Sequence, residues 1–108
     1  MARGQDEGRV LVVEDDADLR ETMARALSAD GHAVTEAADG RAALDALAGP
    51  PFDLVVLDIS LGAGPDGIEV CRRLRAGGDD AHVMALTARD AEADVVLALE
   101  AGADDYVT

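Results

Sequence analysis

Residues 10–16 read Val-Leu-Val-Val-Glu-Asp-Asp, and residues 54–58 read Leu-Val-Val-Leu-Asp. Each is an unbroken apolar run of strand length that ends in acid. A strand apolar at every position is buried on both faces, which is the mark of a parallel sheet with helices above and below. Strands of one parallel sheet open their C-terminal ends into a shared crevice. Glu14, Asp15 and Asp58 are therefore expected to meet there, where they repel one another unless a cation sits between them. The candidate donors are hard oxygens with no His or Cys near them in sequence, which suits Mg²⁺ better than Zn²⁺. The crevice is a candidate for divalent metal binding and for chemistry on a phosphoryl group.

Working outward, apolar runs alternate with stretches of helical period. After the strand Val10–Val13, Asp16 can cap a helix over Ala17–Ala29 whose face carries Leu19, Met23, Ala26 and Leu27. Gly31 lies just past its end, and Ala33–Ala37 is a short second strand. Asp39 opens a second helix carrying Ala43, Leu44 and Leu47, closed by Gly49-Pro50-Pro51. Leu54–Leu57 follows as the third strand, with Phe52 just ahead of it. A Gly/Pro-rich loop, Gly62-Ala63-Gly64-Pro65-Asp66-Gly67, leads to a third helix from about Ile68 to Arg75 that buries Ile68, Cys71 and Leu74. Val83–Leu86 reads as the fourth strand, Asp90 to Gly102 as the fourth helix, and Asp104–Val107 as the start of a fifth strand. The order β-α-β-α-β-α-β-α-β predicts an α/β fold, a doubly wound parallel sheet with short loops. Such a chain normally closes with a helix over its last strand. Its absence here predicts a truncated domain with one sheet face partly bare and an apolar patch exposed.

Composition narrows the function. The 108 residues suit one domain, with a frayed tail over residues 1–8 and the folded unit over residues 9–108. A formal charge of −14, from 23 acidic against 9 basic residues, argues against direct nucleic-acid binding by this unit. All the basic residues are Arg; there is no Lys. The single cysteine, Cys71, excludes an internal disulfide and suits a reducing compartment. With no apolar run of membrane-spanning length and no signal-peptide core, the expectation is a soluble, cytoplasmic protein.

Two further residues belong with the acids. Thr87 ends the fourth strand in Ala85-Leu86-Thr87-Ala88, so its hydroxyl is expected to face the crevice, with Ala88 leaving room for an incoming group. Tyr106, the only tyrosine, lies on the fifth strand and by default is a half-buried edge residue.

Five segments in order now resemble the receiver domain of two-component response regulators, over essentially all of residues 9–108. They are Leu11-Val12-Val13-Glu14-Asp15-Asp16, Asp53-Leu54-Val55-Val56-Leu57-Asp58, Asp66-Gly67-Ile68-Glu69-Val70, Ala85-Leu86-Thr87-Ala88 and Gly102-Ala103-Asp104-Asp105-Tyr106. The resemblance implies a flavodoxin-like sheet of strand order 2-1-3-4-5, lacking its final helix. It implies that Asp58 takes a phosphoryl group from the phosphohistidine of a sensor histidine kinase, with Mg²⁺ as cofactor. Asp15 and Asp58 then ligate the metal directly, Ser60 through its backbone carbonyl, and Glu14 through water. Thr87, Ala88 and Tyr106 serve the phosphoryl group and the switch, relaying the change to the surface of the fourth helix and fifth strand, where a homodimer can form. Asp104-Asp105-Tyr106 further resembles regulators with a winged-helix DNA-binding output.

Two departures from the family stand out. The loop after Asp58 lacks the usual proline, reads Gly62 after Leu61 and places Asp66 one position late, which predicts a mobile loop of altered geometry. The family's lysine would follow Thr108, and no other lysine can replace it, so Asp58 lacks its main organic counterion. Two alternatives are a degenerate receiver that acts only as an interaction module and a metal-dependent phosphohydrolase with an aspartyl nucleophile. The latter wants a general acid two residues after the nucleophile, where this chain has Ser60. The domain is thus expected to accept a phosphoryl group rather than turn over as an enzyme.

Overall fold

Burial on both faces explains why β1 (Arg9–Val13) and β3 (Leu54–Asp58) occupy the middle of the sheet in the computed structural model, which describes residues 8–62, 64–87 and 92–107. Val10 through Val13 and Val55 through Leu57 are all buried. The remaining strands are β2 (Ala33–Ala37), β4 (His82–Leu86) and β5 (Asp105–Val107). All pairs are parallel, in the order β2-β1-β3-β4-β5. The edge strands carry the polar sequence: β5 is exposed at each of its three positions.

Side chains alternate between the two sheet faces. Leu11, Val13, Val55, Leu57, Val83 and Ala85 form the main core with Phe52, Ile68, Val70, Cys71, Leu74 and Ala98. Helices α2 (Gly40–Leu47), α3 (Gly67–Ala76) and α4 (Glu92–Ala101) cover that face. The Cys71 thiol donates to the Ala101 carbonyl (3.5 Å) across the α3–α4 contact, and burial raises its pKa. The opposite face holds Val10, Val12 and Val56, packed by Met23 and Leu27 of α1 (Ala17–Ala29). Among the described residues α1 is the only helix on that face. Leu19 is consequently 45 % exposed and Val107 48 % exposed.

Caps follow the sequence closely. Asp16, Asp39 and Asp66 each accept backbone N–H groups at the start of α1, α2 and α3. The capping by Asp66 starts α3 at Gly67, one residue before the expected Ile68. Asp90 lies outside the described residues. Two expectations are corrected. Leu19 and Ala26 are exposed, because α1 packs through Met23, Ala24 and Leu27 and nothing described flanks it. Asp104 is not a strand residue: its carboxylate accepts from the Val83 N–H (2.9 Å) and from the Arg75 guanidinium (2.8 Å).

Arg75 ties one end of the molecule together. Its guanidinium also donates to the carbonyls of Gly102 (3.0 Å), Asp79 (2.9 Å) and Ala81 (2.7 Å), closing the turns before β4 and β5. The half-exposed ion pair with Asp104 contributes little by itself, whereas the orphaned carbonyls are costly. Arg75→Ala is expected to lower stability by about 2–3 kcal/mol in urea unfolding. Arg75→Lys recovers less than half, since an ammonium cannot fork across several acceptors.

Candidate functional site

The chain turns one way after β1 and the other way after β3, so the crevice lies between those two strands. Val13 pairs with Leu57 in register, which brings the next residues of both strands together. Carboxylate oxygens of Glu14, Asp15 and Asp58 all lie within 4.8 Å of one another. The expected acidic cluster is present.

The three acids differ in setting. Glu14 is 4 % exposed, Asp58 is half-buried and Asp15 is exposed. Glu14 is held at every polar group it has. Its N–H donates to the Ala37 carbonyl (3.1 Å), its carboxylate accepts from the Asp16 N–H (3.1 Å), and its carbonyl accepts from Arg20 Nη1 (2.9 Å). Burial pushes the Glu14 carboxyl up from 4.5 to about 7, the neighbouring Asp58 and Asp15 add to the rise, and the Asp16 N–H opposes it. Asp58 Oδ1 accepts from the Ser60 N–H (3.0 Å).

Thr87 lines the same groove as Glu14, Asp58 and Ser60. Its N–H donates to the Val107 carbonyl (2.9 Å), while its buried Oγ1 has no hydrogen-bond partner among the described residues. A buried hydroxyl normally has a partner, whereas Thr87 Oγ1 keeps its hydrogen-bonding capacity unused among the described residues. Tyr106 sits opposite Ala85 on β5, 46 % exposed and away from the groove lining. Ala88, Arg89 and Thr108 lie outside the described residues. A second depression between the C-terminal ends of α2 and α3, lined by Leu47, Pro51, Leu74 and Asp79, opens at the far end of the sheet from the acids.

The donor set fits a hard divalent cation: three carboxylates at hand, with neither nitrogen nor sulfur among them. The second half of the loop after Asp58 approaches its neighbours closely. A methyl group at Gly40 would overlap the Pro65 carbonyl, and Gly64 takes φ +83°. A methyl group at Gly67 would overlap the Asp58 carbonyl oxygen and meet Ile59 Cα at 2.7 Å.

Sequence reasoning missed Arg20 and Gly40 as parts of this neighbourhood and read Gly67 only as part of the loop and of the Asp66-Gly67 segment, not for its contact with Asp58. Arg20 did carry a signal, because a cation near a helix N-terminus works against the helix dipole and needs another reason to be there. The glycine approaches depend on three-dimensional contacts across the loops and had none.

The model of the response regulator receiver domain family matches residues 10–108. The chain is 50% identical over 99 residues to the response regulator MprA of Mycolicibacterium vanbaalenii, covering 92% of this chain and 42% of that protein. It therefore spans less than half the length of the curated relatives it matches. Among solved structures it is similar to the BeF3-activated N-terminal receiver domain of Klebsiella pneumoniae RstA, with TM-score 0.82, 34% identity and coverage of 92% and 83% of the two chains. It is also similar to a Burkholderia pseudomallei response regulator solved with a phosphorylated aspartic acid, a calcium ion and citrate, with TM-score 0.84, 30% identity and coverage of 93% and 58%. Sheet order, acidic crevice and sequence agree: the chain belongs to the response regulator receiver domain family, as the receiver of a two-component response regulator.

Proposed function

We propose that Asp58 is the phosphoacceptor of this receiver and that the site works with Mg²⁺. The observation that carries the reading is the meeting of Glu14, Asp15 and Asp58 beside a buried Thr87 hydroxyl that has no partner among the described residues. The aspartyl phosphate and bound cation of the Burkholderia relative support it. In the transfer, an Asp58 oxygen attacks the phosphorus of a phosphohistidine on a sensor histidine kinase. The P–N bond breaks, an acyl phosphate P–O bond forms, and the imidazole leaves with the electron pair and takes up a proton.

Asp15, Asp58 and the Ser60 carbonyl would hold the cation, with Glu14 assisting through water. Bound there, Mg²⁺ offsets the negative charge that the carboxylates and the phosphoryl oxygens bring together. Thr87 Oγ1 donates its hydrogen bond to a phosphoryl oxygen. Because the Thr87 N–H holds Val107, movement of Thr87 pulls on β5, and Tyr106 and the exposed residues of α4 read it out. We assign residues 9–108 to the receiver and residues 1–8 to a tail. The protein is assigned to the cytoplasm, with a DNA-binding output and a homodimer through α4 and β5. The unit itself neither binds nucleic acid nor turns over as an enzyme. Among the described residues no helix is long and apolar enough to cross a membrane.

Incubation with Mg²⁺ and acetyl phosphate is expected to add one phosphoryl group per chain by intact mass spectrometry. The Asp58→Asn variant is expected to show none. Release of many phosphates per chain would point to a hydrolase instead. Absence of any adduct, with Mg²⁺ bound, would leave an interaction module.

A further inference from the structure

Arg20 has no assigned role in the phosphoryl site, yet it touches the main chain of that site. Its Nη1 donates to the Glu14 carbonyl (2.9 Å) and its Nε lies 3.3 Å from Glu36 Oε1 on β2. The Arg20 side chain is 19 % exposed, so water competes only weakly for these bonds. The Glu14 carbonyl and the Asp15 N–H belong to one planar peptide unit. Holding that carbonyl therefore fixes the plane from which both carboxylates depart. On its other side, the Glu14 N–H is held by Ala37 at the end of β2.

We propose that Arg20 is a positioning residue for the acidic site: braced by Glu36, it locks the Glu14–Asp15 peptide so that both carboxylates face Asp58. The inference rests on the cation-dependent phosphoacceptor reading above. It does not depend on through-space charge: Arg20 acts on the backbone, which is why lysine cannot replace it. An ammonium can reach the carbonyl or Glu36, but its single point of donation does not hold both in the planar geometry of a guanidinium. Partners that orient metal-binding side chains are worth roughly 10–100-fold in affinity when removed.

The test compares wild type with Arg20→Ala, Arg20→Lys, Glu36→Gln and, as a control on the same helix, Arg25→Ala, whose ion pair with Glu21 lies at the exposed surface. Mg²⁺ affinity is measured by calorimetric titration and thermal midpoints by circular dichroism. Amide exchange of Asp16 is followed by NMR without metal, because that N–H binds the Glu14 carboxylate and reports its orientation. Arg20→Ala is expected to weaken Mg²⁺ binding by roughly 10-fold and to speed Asp16 exchange, with exchange at Leu11 and Val55 unchanged. Arg20→Lys and Glu36→Gln should fall between wild type and Arg20→Ala, and Arg25→Ala should match wild type. Equal Mg²⁺ affinity and equal Asp16 exchange in wild type and Arg20→Ala would overturn the positioning role. So would a loss in Arg20→Ala that Arg20→Lys restores fully, or one accompanied by equal acceleration at Leu11 and Val55. A wild-type chain that binds no Mg²⁺ would instead overturn the reading beneath it.

Discussion

In the absence of metal, raising the pH from about 5 to about 8 is expected to destabilise the chain through one side chain, Glu14. Burial lifts its carboxyl from 4.5 to about 7, so between those values the folded state holds a proton that the unfolded state has released. The protonated folded form is fully favoured below the lower value, and that advantage is lost as the pH rises through the upper one. The loss is on the order of 2 kcal/mol, which corresponds to roughly 10 °C in thermal midpoint for a domain of this size. Glu14→Gln carries no such proton. The difference in midpoint between wild type and Glu14→Gln, recorded in EDTA at several pH values, should therefore grow with pH in favour of the variant. If the site takes Mg²⁺ as proposed, the added ion should reverse the order at high pH by stabilising the folded, ionised wild type. A pH-independent difference would remove the burial argument for Glu14.

The second large effect is steric. Gly67→Ala is expected to cost about 3 kcal/mol, lowering the thermal midpoint by roughly 12 °C or more. The added methyl group meets only backbone: the Asp58 carbonyl, and Ile59 Cα at 2.7 Å. No side chain can rotate away, and the Gly67 N–H is itself bound to the Ile59 carbonyl (3.2 Å). The clash is relieved by moving either the start of α3 or the peptide that carries Asp58, so cation affinity should fall as well. Gly77→Ala is the control, because its nearest neighbour would be the Arg73 carbonyl at an ordinary 3.5 Å. Calorimetric unfolding of the two variants separates a local clash from a general intolerance of alanine.

The fold and the acidic crevice were legible because single properties of the chain determine them. Continuous apolar runs at Val10–Val13 and Leu54–Leu57 can only be central parallel strands, and the acids that end them must then be neighbours. The Asp caps of α1 and α2 are equally local, whereas the Asp66 cap of α3 was not read from the sequence. Legibility stopped where contact partners come from distant parts of the chain. The period of α1 put Leu19 on the apolar face of the helix, but burial depends on what lies beside the helix, and Leu19 is exposed. Asp104 read as a strand residue, yet it is claimed by Arg75 from 29 positions away. Thr87 was placed in the crevice from its strand end alone. Its lack of a partner needed coordinates.

The bonds that Arg75 makes at Gly102 and Asp104 have a mechanical side. They pin the C-terminal end of α4 to α3, while the other end of α4 lies toward Thr87 in the chain. A rod clamped at one end moves only by swinging about the clamp. A ten-residue helix is roughly 15 Å long, so a tilt of about 10° around the end held by Arg75 carries the opposite end ~2.5 Å. The face of α4 bearing Val96, Leu97 and Leu99 would thus be displaced by graded amounts, most at the end nearest the acids.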